Sequence, residues 1–468
     1  MKTNLSPKKS KISKTSRRQF IRAGIGVATT MFATPFILGD ESKGANDKIG
    51  IALIGAGGMG GGDIKNAARF GNVVAIADVD LQQAKEKKTA FNNKPTIYQD
   101  YRKLLENKDV DVVIQATPDH WHTKINVDSL LAGKDVYGEK PLALTINEGQ
   151  ILRKTIKDTN RIFQTGTQQR SDTRFQTVIE LVRNGRIGKL QRVLVALPYF
   201  NASGGPFPAV DKIPDELDWD MYQGQAQVCP YIPQRTRLIF RWWYEYAGGI
   251  VTDWGNHHFD IAQWGMDTEN TGPLTVEARG IFPNDGKPDC FNTPDRFYSE
   301  MKYANGVDVF FYTTIKEKPK FHDITSHQET TLEQISWLFG KNCPQDVHDN
   351  GRNGIMFIGD KGRVFVNRGG AYGKPLDELK ENPLPSDAWR TKPSKDHMKN
   401  FFDCVRSRET PVASAELEHR SITPCHLTNI SIRLGGRKLQ WDPVKEEITN
   451  DKEANEMLKR EQRKPYQI

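Results

Sequence analysis

Hydrophobic and polar positions follow two regimes along the chain. From residue 48 to about 170, short apolar runs of strand length recur between stretches with helical spacing. "KIGIALIG" (48–55) is an apolar run ending in glycine, the pattern of a strand buried on both faces. "GGDIKNAARFG" then reads as a helix and "NVVAIADVD" as a second strand. The alternation continues through a strand "DVDVVIQAT" (109–117), a helix "HTKINVDSLLAG" and a strand "DVYGEKP". A helix "INEGQILRKTIKDTN" and a last strand with its loop, "RIFQTGTQQR" (161–170), complete the series. Regular strand–helix alternation predicts right-handed βαβ units and a doubly wound parallel sheet over residues 46–170.

The pattern changes near residue 172. One helix, "TRFQTVIELVRNGRIG", leads to a strand, "KLQRVLVALPYF", and then to a long loop (201–240) rich in Gly, Pro, Trp and Tyr. "LTVEARGIF", "DRFYSEMKYA" and "GVDVFFYTTI" read as strands, and their spacings and turns predict an antiparallel or mixed sheet. Residues 317–353 are polar and read as an insertion, and "GIMFIGDKGRVFVNRG" reads as a hairpin turning at "GDKG". Helices follow from Lys395, and the chain closes on a polar tail over 441–468. We therefore expect a second α/β domain over 171–440.

Candidate chemistry begins directly after the first strand. Gly55, Gly57 and Gly60 fit G-x-G-x-x-G between a strand and a helix, where the backbone can approach a pyrophosphate at a helix N-terminus. The second strand ends in Asp78, placed to accept hydrogen bonds from ribose hydroxyls and to repel a 2′-phosphate. Together these predict a Rossmann domain that prefers NAD to NADP. Ligands sit at the carboxyl ends of such strands, where "TPDHWH" (117–122) and "GEKP" (138–141) fall. Lys140, held extended before Pro141, would face the nicotinamide end of the cofactor. His120 and His122 share one strand-end loop, and we expect them to contact substrate or cofactor rather than a metal.

The stretch "EYAGGIVTDWGNHHFDIAQW" (245–264) holds Asp253, His257, His258 and Asp260. On a helix, positions 253, 257 and 260 share one face, and 258 points about 100° away. The spacing places Asp253 beside His257 and Asp260 one turn on as its orienter. A zinc site needs ligands in tetrahedral array, which one helix face rarely supplies, so no metal is expected.

Charge adds a targeting segment. The net charge of +8 suggests a nucleic-acid binder, but residues 1–46 hold nine Lys/Arg against two acids, leaving +1 for the rest of the chain. No basic stripe remains to hold nucleic acid. "SRRQFIRAGIGVATTMFATPFILG" has twin arginines, Arg17 and Arg18, before a weakly apolar run, the form of a Tat signal over residues 1–45 and of export to the periplasm. No later segment is apolar for a membrane span. Five scattered cysteines without CxxC exclude a disulfide framework, as suits a protein exported already folded.

The strand ending in "EKP" and the later "GG-x-x-x-D-x-G-x-H-x-x-D" together resemble the Gfo/Idh/MocA oxidoreductases. The resemblance runs over most of residues 48–440, and the "WWYEYAGG" and "NFFDCVRSRETP" wording looks like an exported branch. It implies a C-terminal α/β domain with an open, mainly antiparallel sheet that often carries a homodimer or homotetramer contact. Residue by residue, it places Gly55, Gly57, Gly60 and Asp78 on NAD, with Pro118, His120 and Glu139 lining the pocket. Lys140, Asp253 and His257 form the catalytic set. We add Gly58, Met59 and Thr117 to the cofactor contacts and Trp121, His122, Gln168, Arg170 and Tyr246 to the substrate contacts. His258 is extra to the motif, and "LDWDMYQGQAQ" departs from a more usual Trp- and Pro-rich form.

The expected reaction is oxidation of a sugar, glycoside or polyol hydroxyl. His257 takes the hydroxyl proton, hydride passes to tightly bound NAD, and Lys140 stabilises the oxygen. An NAD-dependent glycosidase working by transient oxidation and elimination is the alternative. A non-catalytic dinucleotide-binding sensor or scaffold is the alternative of another class.

Overall fold

A computed structural model of the chain describes residues 48–284, 286–314 and 353–468. The proposed export signal and nearly all of the 317–353 insertion lie outside the described residues.

Strand β1 (Ile49–Ile54) forms from the first apolar run, and five of its six residues are buried. Helix α1 (Gly58–Ala67), β2 (Gly71–Ala77), α2 (Leu81–Thr89), β3 (Thr96–Tyr98) and α3 (Tyr101–Leu105) follow. The second half of the unit is β4 (Val112–Gln115), α4 (Asp119–Leu131), β5 (Asp135–Gly138), α5 (Ile146–Thr159) and β6 (Phe163–Thr165). The six strands pair in the order β3-β2-β1-β4-β5-β6, all parallel. The strand order reverses between β1 and β4, which opens a crevice at their carboxyl ends. The expected doubly wound sheet is present. Only β3 escaped the hydrophobic pattern, because three residues carry no period.

The chain then runs through α6 (Thr173–Arg183), β7 (Leu190–Leu197), α7 (Trp219–Gln223) and α8 (Ile250–Met266). Strands β8 (Pro273–Ile281), β9 (Arg296–Tyr303), β10 (Asp308–Thr313), β11 (Gly354–Gly359), β12 (Arg363–Asn367) and β13 (Gly370–Tyr372) come next. After α9 (Lys374–Asp377), α10 (His397–Ser407) and α11 (Ala415–Arg433), the chain ends with β14 (Leu439–Asp442), β15 (Glu447–Ile448) and α12 (Lys452–Glu456). Nine strands form the second sheet in the order β13-β12-β11-β7-β10-β9-β8-β14-β15. It is mainly antiparallel, with β7 and β10 paired parallel. The "GDKG" hairpin is the β11–β12 turn.

Alternation sorts this sheet into two faces. Val193, Val195, Val309, Phe311, Ile355 and Phe357 belong to the main core with α8 and α11. Leu194, Ala196, Phe310, Tyr312, Met356 and Phe365 form a separate apolar cluster on the opposite face. Helix α11 carries Pro424 in its interior. Proline lacks the N–H that would bond the carbonyl four residues back. That carbonyl, on Arg420, accepts instead from Gln263 Nε2 of α8 at 3.2 Å.

Helix α10 crosses back to the first sheet. Met398, Phe401, Phe402 and Val405 share one core with Ile51, Leu53, Val112 and Ile114. Phe402 stacks on Phe70 at 4.9 Å and Phe401 meets Tyr137 edge-on at 5.7 Å. The polar tail is ordered and packed: Tyr466 meets the Trp121 ring at 5.5 Å, and Arg463 Nε donates to the Gly224 carbonyl at 3.0 Å. Among the described residues, no helix is long and apolar enough to cross a membrane.

Candidate active site

A cavity of about 800 Å³ opens along the crevice. Gly55, Gly57, Gly58, Met59, Asp78, Thr117, Pro118, Trp121, Glu139, Lys140 and Asp253 line it, and His257 does not. The turn after β1 is shaped for close approach. Gly55 has φ +92°, and a Cβ on Gly60 would lie 2.0 Å from the Gly55 carbonyl oxygen, so neither position accepts a side chain. Gly60 therefore packs under the turn rather than lining the cavity. The N-terminus of α1 has no side-chain cap and no acid in its first turn, which leaves it positive toward a phosphate. Asp78 Oδ2 accepts from Ala56 N at 2.7 Å and Oδ1 from Asp80 N at 2.9 Å. Burial pushes its carboxyl up to about 6, against the pull of those two amides. These residues fit a pyrophosphate and a ribose.

Lys140 ends the sheet at the far side of the cavity, and its bond to Pro141 is cis. Its Nζ donates to Asp253 Oδ1 at 2.5 Å. Arg241 Nη1 donates to Asp253 Oδ2 at 3.1 Å, so two cations share one carboxylate. Burial pushes Asp253 up, but Lys140 and Arg241 outweigh it and hold the carboxyl below its usual range. Asp119 stands near them, and burial pushes it up to about 7 despite Lys140. Glu139 is buried against Asp63, and burial raises both carboxyls. Gln168 Nε2 donates to Glu139 Oε1 at 3.2 Å and to Tyr137 Oη at 3.2 Å. It orients Glu139 rather than lining the cavity.

His257 lies one helical turn after Asp253, buried, with no hydrogen-bond partner at Nδ1. Burial first, then Lys140 and Arg368, hold its imidazole well below the usual range, so it is neutral and able to accept a proton. His258 points elsewhere on the helix, fully buried, with neither nitrogen partnered, and burial pushes it down to about 3.

The structure corrects further expectations. Asp260 does not orient His257. It accepts from Arg170 Nε at 2.7 Å and from Ser421 Oγ at 3.2 Å. Arg170 in turn is 3% exposed and also pairs with Glu269 at 2.8 Å, so it joins the turn after β6 to α8 and does not line the cavity. The two histidines of "TPDHWH" are not in a loop, because Pro118 caps α4 and Asp119 already begins it. His122 faces the Pro141 and Thr117 carbonyls at 2.6 and 2.8 Å, which consumes both nitrogens. His120 Nε2 donates to the Tyr222 carbonyl at 2.8 Å, and burial pushes it down to about 3. Tyr246 is fully buried, its ring tilted against that of His120 at 4.8 Å. His120 and Tyr246 thus hold α4 to the 201–248 segment, and His122 ties α4 to the chain around Thr117 and Pro141.

Sequence reasoning missed Arg241, Asp119 and Arg368. Arg241 sits in the 3-10 segment Arg237–Trp242 of the long loop, which carries no periodic signal. Leu238 of the same segment comes within 3.1 Å of a Cβ placed on Gly58, so this loop closes over the glycine turn. The four described cysteines are free, and among the described residues no group of His, Cys, Asp and Glu could hold a metal ion.

Comparison with known proteins follows the same two-part layout. A model described as "oxidoreductase family, NAD-binding Rossmann fold" matches residues 49–167. One described as "oxidoreductase family, C-terminal alpha/beta domain" matches 176–323 and 349–468. The chain is 27% identical over 200 residues to inositol 2-dehydrogenase of Salmonella paratyphi B, covering 41% of this chain and 58% of that relative's length. It is 30% identical over 203 residues to glycosyl hydrolase family 109 protein 2 of Shewanella sp., covering 37% of this chain and 44% of that one. Aldose-aldose oxidoreductase of Caulobacter crescentus, solved with glycerol, shares the fold at a TM-score of 0.56 and 16% identity, covering 84% of this chain and 99% of that one. The glycine turn, the Lys140 strand end and the Asp253 helix therefore stand in a known frame, and the chain belongs to the Gfo/Idh/MocA family of NAD-binding oxidoreductases.

Proposed function

We propose that this protein oxidises a hydroxyl of a sugar, glycoside or polyol with NAD. One observation carries the reading. The Lys140–Asp253 ion pair joins the end of the nucleotide-binding strand to the motif helix at the end of the cavity. The inositol 2-dehydrogenase relative supports a polyhydroxylated substrate.

NAD bound in the cavity supplies the hydride acceptor. The glycine turn and α1 would hold its pyrophosphate, and Asp78 would take the ribose hydroxyls. Asp253 fixes the Lys140 ammonium, whose remaining hydrogens face the substrate oxygen and stabilise its developing negative charge. His257, held neutral one turn beyond Asp253, accepts the hydroxyl proton. Trp121 and the 3-10 segment over the glycine turn wall the cavity.

The test is NADH formation with inositol, glucosides and aldoses, repeated with Lys140→Ala and His257→Ala. Full turnover by either variant rejects the assignment. We also propose that residues 1–45 route the folded protein to the periplasm with NAD already bound, supported by the twin arginines. Dinucleotide released on denaturing protein purified without added NAD is the expected result. A second reading, an NAD-dependent glycosidase, is supported by the family 109 relative. Reducing sugar freed from an aryl glycoside without net NADH would favour it.

A further inference from the structure

The catalytic end of the cavity holds more cations than ionised acids. Lys140 and Arg241 share the single carboxylate of Asp253. Asp119 and Glu139 stand nearby, but burial holds both towards the protonated form. A third cation, Arg368, lies outside the residues that line the cavity, exposed on the turn between β12 and β13 and beside Trp254 of the motif helix. That turn is firmly built. Asn367 Oδ1 accepts from Gly369 N and Gly370 N at 2.8 and 2.9 Å, and Asn367 Nδ2 donates to the Asn353 carbonyl at 3.1 Å. Arg174 donates to the Arg368 carbonyl.

The Arg368 guanidinium lies 4.8 Å over the Trp254 ring. Trp254 follows Asp253 in the chain, and its ring is 6.1 Å from that of His257. Among the described residues, no carboxylate forms an ion pair with Arg368; Asp253, Glu139 and Asp172 act on it only at longer range. An arginine stacked on an aromatic face keeps its planar edge of N–H donors free. That edge matches the two oxygens of a carboxylate or phosphate.

We propose that Arg368 is a specificity-determining residue and that the substrate is an acidic sugar whose anionic group it receives. This rests on the sugar-oxidising reading above. The carboxylate of a uronate and the phosphate of a sugar phosphate present the same chemistry, and separate arms of one experiment tell them apart.

The experiment uses the full chain with NADH added. Glucuronate, glucose 6-phosphate and glucose are titrated by calorimetry and by tryptophan fluorescence, with NAD turnover of each measured in parallel. Wild-type protein should bind at least one acidic sugar tenfold or more tightly than glucose. Arg368→Gln should remove most of that preference, and Arg368→Lys should keep part of it. Tight binding of glucuronate alone assigns a carboxylate, and of glucose 6-phosphate alone a phosphate. Equal binding of all three, or a preference that survives Arg368→Gln, overturns the proposal and shows that Arg368 only covers Trp254. An Arg368-dependent preference without turnover of any sugar keeps the proposal and removes the oxidoreductase reading. Turnover without the preference does the reverse. Arg368 is exposed, so its variants are expected to fold; if they do not, the wild-type ratio of acidic to neutral binding still decides.

Discussion

Lys140 and Asp253 are 113 positions apart in sequence and meet at 2.5 Å between Nζ and Oδ1. The pair is the point where the nucleotide-binding sheet and the motif helix become one site. Asp253→Asn leaves the Lys140 ammonium unanchored and is expected to lower kcat by about 10²–10³, the scale for losing one preorganised stabilising group. Lys140→Ala should cost as much in kcat yet less in folding stability, because Arg241 still satisfies Asp253. Steady-state kinetics with denaturant titration of both variants checks this. Equal activity of Asp253→Asn and wild type would remove Asp253 from the site.

The imidazole of His257 is held neutral by burial and by Lys140 and Arg368. An acid limb of kcat/KM caused by His257 should therefore lie well below pH 6.5, the usual imidazole value. A pH–rate profile of the wild type measures it. A limb centred at 6.5 or above would mean that another group titrates.

Asp78 carries the choice of dinucleotide. Asp78→Asn keeps an acceptor for Ala56 N but removes the charge that repels a 2′-phosphate. NAD affinity is expected to fall about tenfold, a loss of about 1.4 kcal/mol, while NADP affinity rises. Dinucleotide titration followed by fluorescence reads both arms, and unchanged NADP binding would count against the role.

Arg170 is a structural cation, and removing it strands a buried acid. Arg170→Ala leaves buried Asp260 without a counter-charge and is expected to destabilise the fold by about 3–5 kcal/mol. KM for any substrate should stay as in wild type. A raised KM with unchanged melting would restore Arg170 to the substrate site.

His258 stays neutral in the fold because burial pushes it down to about 3, whereas it protonates near 6.5 when unfolded. Between those values the unfolded state binds more protons, so this residue's contribution to stability is full above pH 6.5 and is lost as pH falls. Replacing it with Leu removes the loss. Relative to wild type, His258→Leu should gain about 1.4 kcal/mol per pH unit between 6.5 and 4.5. A difference independent of pH would show that the imidazole is not the titrating group.

What the sequence made legible was local in origin. The run Ile49–Ile54 and the glycines after it declare a strand and a tight turn within a dozen residues. The i, i+4 placing of Asp253 and His257 needs only one helix. The errors came where partners are distant. Asp260, Arg170, His122 and Tyr246 have the composition of site residues, but each is spoken for by a group brought in by tertiary packing. Arg241 and Arg368 reach the site from a loop without period and from a hairpin turn, and neither setting marks an arginine as functional.

Helix α10 has a consequence in time rather than space. The first sheet is synthesised early, yet Ile51, Leu53, Val112 and Ile114 share their core with Phe401 and Phe402. A ribosome has made the whole nucleotide crevice long before the helix that dries its face emerges. The dinucleotide domain is thus first to be written and among the last to be sealed. A fragment cut at residue 170 would leave that apolar face bare and is expected to aggregate unless residues 397–407 are supplied with it.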